Sequence, residues 1–326
     1  MYDEKMVLIS INNRLFKVLS SLSLIGLFSA FLLAACGGGG SDSSSSSSSS
    51  TTPVSTYAVF PTPAGTACLN STTQGSTVNV SNTDAFGNII FGVSGTGNGT
   101  AKPYSCLVVD KANNQPVYSG SQSVRFETRP GDCFIGDGGY DDCANDRQHN
   151  DLSTYAGNHA STQGKIITYE YSLYLPTQTL IRPASAKGCY STVGMIITQI
   201  NFNSIQGNDY GYIAFLNVGE TGNLYLQSIN GVSNLYGSQV SLDTSPADKW
   251  IKMKYVIKSS AASDGYLNVY MNDKLVYSRT GATIPGENYY NMLKVGIYNG
   301  QVSCAAQPWQ PQVVYFDGFS TTVQNF

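Results

Sequence analysis

Histidine is almost missing from this chain. His149 and His159 are the only two in 326 residues, so the side chain that most often moves protons near neutral pH is scarce. No Gly-x-Ser-x-Gly elbow occurs and no glycine-rich phosphate cradle, which removes the serine-nucleophile and nucleotide chemistries that need them. Nowhere does a long helical period run with caps at both ends. Charge is sparse as well: 18 Lys and Arg against 21 Asp and Glu, a formal net charge of −3. A weakly acidic chain is no general polyanion binder, so nucleic acid is excluded and an acidic ligand would need a local basic cleft. The 7 cysteines contain no Cys-x-x-Cys pair and no paired-histidine spacing accompanies them, which argues against zinc and leaves no metal-ligand set.

What is present begins with an address. Lys5, Arg14 and Lys17 precede an apolar run from Val18 to Ala34, and the run ends Leu33-Ala34-Ala35-Cys36. A basic start, a short apolar stretch and small residues before a cut form a secretory signal rather than a structural helix. The ending resembles the bacterial lipobox, in which the cysteine, here Cys36, becomes the lipidated first residue of the mature chain. Gly37 to Thr52 is nearly all glycine and serine and reads as a flexible leash. Gly37 rather than Asp after the cysteine favours the outer membrane in the Gram-negative sorting pattern. The expected organisation is signal 1–35, lipidated cysteine and linker 36–55, and one domain over 56–326. Membrane contact is expected through the lipid alone, and the domain as a monomer. Removing residues 1–35 takes away three basic and two acidic residues and moves the formal charge from −3 to −4.

Six cysteines remain after Cys36: Cys68, Cys106, Cys133, Cys143, Cys189 and Cys304. An even number in an exported chain predicts three disulfides. Proximity pairs Cys68 with Cys106 and Cys133 with Cys143; elimination leaves Cys189 with Cys304.

Nearly every segment after the leash reads as strand. Ile167, Tyr169, Tyr171, Leu173 and Leu175 alternate with polar residues, as do Ile251, Met253, Tyr255 and Ile257 with Lys252, Lys254 and Lys258. Leu267, Val269 and Met271 lead through an Asn272-Asp273 turn into Leu275-Val276-Tyr277, a hairpin signature. Val313 to Phe316 supplies a closing strand. The 22 tyrosines and 33 glycines suit curved sheets with tight turns. The predicted fold is all-β: a two-sheet antiparallel, concanavalin-like sandwich of jelly-roll type. A small disulfide-closed module over Thr56–Ala112 followed by a smaller sandwich is the alternative, and the lack of a clear linker favours one domain.

Two stretches carry polar residues where a core strand should be plain. Along Gly194-Met-Ile-Ile-Thr-Gln-Ile-Asn-Phe-Asn203, strand alternation puts Gln199, Asn201 and Asn203 on one face. Along Leu293-Lys-Val-Gly-Ile-Tyr-Asn299, it puts Lys294, Gly296 and Tyr298 together. A polar groove floored by a sheet follows. A third stretch aligns Arg125, Glu127 and Arg129, either as a charge ladder or as the bed of an anionic ligand. His149 and Arg147 lie together in Asp146-Arg-Gln-His-Asn-Asp-Leu152. A carboxylate pair of hydrolase type could be drawn from Glu127, Asp132, Asp137, Asp141, Asp142, Asp146 and Asp151, but no spacing singles one out. Asp141 and Asp142, in a glycine-rich loop, read as solvated turns or a structural calcium site; no other cofactor is expected.

Taken in order, these motifs resemble the alginate-lyase-type jelly rolls, a group of alginate lyases, glucuronan lyases and heparin-lyase-I-like proteins. Gln199-Ile200-Asn201 stands where alginate lyases carry Gln-Ile-His. Lys294-Val-Gly-Ile-Tyr-Asn299 matches their late Lys-Ala-Gly-Ile/Val-Tyr-Asn strand. Their early Arg-Ser/Thr-Glu-Leu strand has two competitors here, Arg125-Phe-Glu-Thr-Arg129 and His149-Asn-Asp-Leu152; the approach through Arg129-Pro-Gly-Asp-Cys133 and Asp146-Arg147 favours the second. The resemblance spans about Ser119 to Ser320. It implies β-elimination on a uronate-containing polysaccharide. Gln199 and Arg147 (or Arg125) would neutralise the uronate carboxylate, and Tyr298 would act as base and acid with His149 assisting. Lys294, Asn201, Arg125, Arg129 and Glu127 are the further substrate-binding candidates. Asn201 departs from the family's histidine and cannot accept a proton near neutral pH, so a glycan-binding lipoprotein without turnover is the rival expectation. A purely structural surface module is the third.

Overall fold

The computed structural model describes residues 61–68, 91–93, 102–133, 141–154, 160–181, 194–207, 209–230, 232, 235–305 and 309–326. The signal, Cys36, the leash, His159, Asp137 and Cys189 lie outside the described residues. Residues 55–326 form one compact unit.

Fifteen strands are described: β1 Gly65–Ala67, β2 Phe91–Val93, β3 Cys106–Asp110, β4 Gln122–Thr128, β5 Arg147–Thr154, β6 Lys165–Tyr174, β7 Met195–Ser204, β8 Tyr210–Val218, β9 Leu224–Asn230, β10 Leu235–Asp243, β11 Trp250–Ser259, β12 Tyr266–Met271, β13 Lys274–Thr280, β14 Tyr289–Gly300 and β15 Gln312–Asn325. They form two antiparallel sheets. The back sheet has the order β1-β3-β4-β15-β6-β11-β12-β13 and the front sheet β10-β9-β8-β7-β14-β5-β2. The non-consecutive neighbours are the crossovers of a jelly-roll sandwich. β1 and β3, which lie beside Cys68 and at Cys106, join the back sheet through β4.

Alternation fixes which side chains enter the core. On β11, Ile251, Met253, Tyr255 and Ile257 are buried while Lys252, Lys254 and Lys258 stay partly exposed. On β6, Ile167, Tyr169, Tyr171 and Leu173 do the same. These residues meet Ile197, Ile200, Phe202, Leu293, Val295 and Ile297 from the front sheet in one core. Apolar burial of this kind, worth roughly 1.5–3 kcal/mol per large side chain, drives the two sheets together. Asn272 and Asp273 both take positive φ, 49° and 65°, the backbone that a two-residue hairpin turn between β12 and β13 requires. The closing strand is longer than the sequence pattern indicates. β15 runs past Phe316 to Asn325 because the register with β6 shifts between Asp317 and Ser320. There Gly318, at φ 62°, turns the chain and lets a polar tail keep pairing.

The disulfides Cys68–Cys106 and Cys133–Cys143 are formed. Cys304 is also disulfide-bonded, and its expected partner Cys189 lies outside the described residues.

Candidate active site

The outer face of the front sheet carries the groove. On β7 the core-facing residues are Met195, Ile197, Ile200 and Phe202. Thr198 also turns inward, where its hydroxyl meets that of Tyr171 at 2.6 Å. Two successive inward residues require a break in alternation, and the β7–β8 register does shift between Ile196 and Thr198. Beyond that bulge Gln199, Asn201 and Asn203 face outward as the sequence pattern predicts. On the neighbouring strand, Lys294 pairs with Gln199 and Met292 with Asn201.

β14 pairs on its other side with β5 in regular register. His149 sits opposite Tyr298, Arg147 opposite Gly300 and Ser153 opposite Lys294. Directly opposed residues share a face. Gly300, lacking a side chain, keeps the floor open beside Arg147. Gly296 has φ 145°, and a Cβ there would lie 2.2 Å from the Asn150 carbonyl and 2.6 Å from Asp151 Cα. The close approach of β5 and β14 that places Tyr298 beside His149 therefore requires glycine at 296.

A cavity of about 750 Å³ opens on this face, lined by Arg147, Gln199 and Tyr298 together with Ile196, Asn217 and Gln227 and a wall of aromatic rings. The wall is Tyr210, Tyr212, Phe215 and Tyr225. The rings of Tyr210 and Tyr212 meet edge to face at 5.8 Å, and those of Tyr212 and Phe215 lie 4.8 Å apart. Burial first, then the neighbouring Tyr210 and Tyr298, hold the Tyr212 hydroxyl well above the ordinary phenol range, with Arg147 opposing. Tyr212 is thus within electrostatic reach of both Arg147 and Tyr298. Such a cavity offers one guanidinium, carboxamides, phenols and stacking faces, the equipment for holding a sugar ring and its carboxylate.

The other predicted residues divide sharply. His149 does not line the cavity; it lies beside Tyr298 on the adjacent strand, with ring centroids 5.6 Å apart and its side chain 10% exposed. Asn201 is buried, its Oδ1 has no partner among the described residues, and its Nδ2 stands 3.5 Å from Gln199 Oε1. Lys294 shares a narrow crevice with Asp151, Gln199 and Tyr298. Arg125, Glu127 and Arg129 are elsewhere. They lie on β4 in the back sheet, where Glu127 accepts from Arg125 Nη2 and from Arg129 Nε, each at 2.5 Å. Arg125 and Glu127 are sealed from solvent, and the Arg129 guanidinium lies 3.7 Å over the Tyr104 ring. Glu127 offsets one of the two positive charges and the Arg125–Glu127 pair is closed to solvent, so neither the ligand bed nor the solvated ladder describes them, and the arginine of the groove is Arg147 rather than Arg125. Among the acidic candidates, Asp146 takes the backbone N–H and hydroxyl of Ser303, both at 2.7 Å, fixing the start of β5 to the turn after β14. Cys133, Asp141 and Cys143 cluster closely enough for a cation, but the two sulfurs are bonded to each other.

The sequence reading missed Tyr210, Tyr212, Phe215, Asn217, Tyr225 and Gln227. The signal was available on β8: Tyr210 and Tyr212 alternate with Gly211 and Ile213 next to the amide strand. The second bulge, between Ile200 and Asn201 in the β7–β8 pairing, then breaks the alternation that would have joined them to Phe215 and Asn217.

Comparison with known proteins bears on this architecture. The polysaccharide lyase family profile matches residues 96–320. Among solved structures, endo-β-1,4-glucuronan lyase from the fungus Trichoderma reesei aligns at 16% identity and TM-score 0.49, covering 76% of this chain and 93% of that one. Alginate lyase AlyC3 in complex with dimannuronate aligns at 10% identity and TM-score 0.45, covering 63% and 76%. Alginate lyase A1-II′, a member of polysaccharide lyase family 7, aligns at 15% identity and TM-score 0.44, covering 63% and 81%. None of the curated proteins matches. With the profile spanning well over half of the chain and both β5 and β14 inside it, the protein belongs to the polysaccharide lyase family.

Proposed function

We propose that this chain cleaves a uronate-containing polysaccharide of alginate or glucuronan type by β-elimination. The observation that carries the reading is that Arg147, Gln199 and Tyr298, drawn from three strands, line one cavity. The proton beside a uronate carboxylate becomes acidic only when the carboxylate's charge is met by donors. Arg147 and the Gln199 amide supply such donors, and charge-assisted bonds from a guanidinium are the strongest of them. Tyr298 then takes the proton and returns one to the leaving glycosidic oxygen. Lys294 binds a neighbouring sugar acid, and the aromatic wall stacks against sugars further along. In this reading the domain works outside the cell, held at the outer membrane by a lipid on Cys36 and the leash that follows. That placement rests on the Leu33-Ala34-Ala35-Cys36 ending.

A second reading is favoured by Asn201, an amide that cannot accept a proton: a glycan-binding surface lipoprotein using the same groove without turnover. One experiment separates the two. The protein is incubated with mannuronate-rich alginate, guluronate-rich alginate, glucuronan and heparin-like glycans, and the ultraviolet absorbance of the unsaturated sugar is followed. A rise that Tyr298→Phe abolishes establishes the lyase and its substrate. Binding to one polymer, weakened by Gln199→Ala and without any absorbance change, establishes the receptor.

A further inference from the structure

On the β5 side of the front sheet a buried carboxylate lies against His149. Asp142 stands in the turn before β5 and is fully buried. Its Oδ2 lies 2.5 Å from His149 Nδ1, an ion-pair contact rather than an aligned hydrogen bond, and accepts the His149 backbone N–H at 3.1 Å. Its main-chain carbonyl accepts the Arg147 N–H at 2.8 Å, and the neighbouring Cys143 is bonded to Cys133. The Asp142 Oδ1 has no partner among the described residues. A carboxylate so desolvated is tolerated only against a donor. Facing Nδ1, it demands a proton there, and a neutral imidazole protonated on Nδ1 presents Nε2 as an acceptor on the opposite edge of the ring.

We propose that Asp142 is a positioning residue that locks His149 in the Nδ1–H tautomer, making Nε2 a proton acceptor beside Tyr298. Resting on the lyase reading, the consequence is a relay. The Tyr298 hydroxyl passes its proton to His149 Nε2, leaving a phenolate and an imidazolium that Asp142 stabilises. The phenolate removes the proton next to the uronate carboxylate, the glycosidic C–O bond breaks as the C=C bond forms, and Tyr298 protonates the departing oxygen. The imidazolium then returns its proton to Tyr298. The scarce histidine thus acts through tyrosine, in a chain where Asn201 offers no base of its own. The charged or titratable groups beside His149 are Asp142 and, across the strand pair, Tyr298, with Arg147 and Asp151 as its same-face neighbours along β5.

With two histidines in the chain, the test is direct. Nitrogen-15 spectra of the full chain labelled in histidine, with a His159→Gln sample to assign the signals, should show His149 as the Nδ1–H tautomer. In Asp142→Asn that tautomer should give way to a mixture. On the glycan that the wild type cleaves, kcat should fall about 10–100-fold, as for loss of an orienting carboxylate, while KM changes less than about twofold. Asp142→Glu should restore part of the rate. His149 found as the Nε2–H tautomer overturns the proposal, as does an Asp142→Asn enzyme with unchanged tautomer and kcat. The wild-type tautomer and Asp142→Glu decide the matter if Asp142→Asn does not fold. If no glycan is turned over, the lyase reading falls while the tautomer still decides the role of Asp142.

Discussion

The back sheet and the front sheet each contain a strand with an arginine beside other polar residues, and in the sequence the two look alike. Arg125, Glu127 and Arg129 at β4 close on one another and on Tyr104, with Arg125 and Glu127 sealed from water. Arg147, Gln199 and Tyr298 come from three different strands and converge on open space. Polar residues two apart on one strand can satisfy each other in place, and their alternation then reports internal pairing. Polar residues contributed singly by neighbouring strands can instead converge on a cavity, where a ligand can meet them.

Substitutions on the two sheets should therefore separate stability from activity. The largest effect is expected from Tyr298→Phe: turnover falling about 10²–10⁴-fold, the range for loss of a positioned proton-transfer group, with an unchanged denaturant midpoint and retained glycan binding. Its mirror on the back sheet is Glu127→Ala, which strands Arg125 in the interior. That change should cost about 3–5 kcal/mol in urea unfolding and leave turnover per folded molecule as it was. Smaller is Tyr171→Phe, which removes the hydroxyl shared with Thr198 and Tyr255; about 1–3 kcal/mol should be lost. A gentler break comes with alkali. Burial raises the Tyr169 hydroxyl from 10.0 to about 12, with a Thr154 hydrogen bond opposing, and raises Tyr171 and Tyr255 as well. Between those pH values the unfolded chain has released tyrosine protons that the folded chain keeps, so stability declines as pH rises. Unfolding midpoints should hold from neutral pH to about 10 and fall above it as tyrosinate absorbance rises.

Much of the sandwich was legible because strand alternation is strict wherever one face is buried, as on β6, β11 and β12. The pairing of Lys294 with Gln199 follows from the same rule applied to β7 and β14. What stayed hidden has two physical causes. Bulges on the β7–β8 pair shift the faces by one residue, so Thr198 goes inward and the aromatic wall cannot be read by counting. Partner choice across the fold is the other cause. Nothing local reveals that Arg125 is consumed by Glu127, or that Asp142, which reads as a solvated turn residue, is turned inward onto His149.

The hydroxyls of Tyr255, Tyr171 and Thr198 form a chain through the middle of the sandwich, at 3.1 and 2.6 Å. It anchors the residue next to Gln199 to the opposite sheet, so the groove floor has a brace beneath it. A floor braced in this way behaves as an anvil. Adjustment to different sugars falls to the rims, and amide protons of β7 should exchange among the slowest in the domain, whatever glycan lies above them.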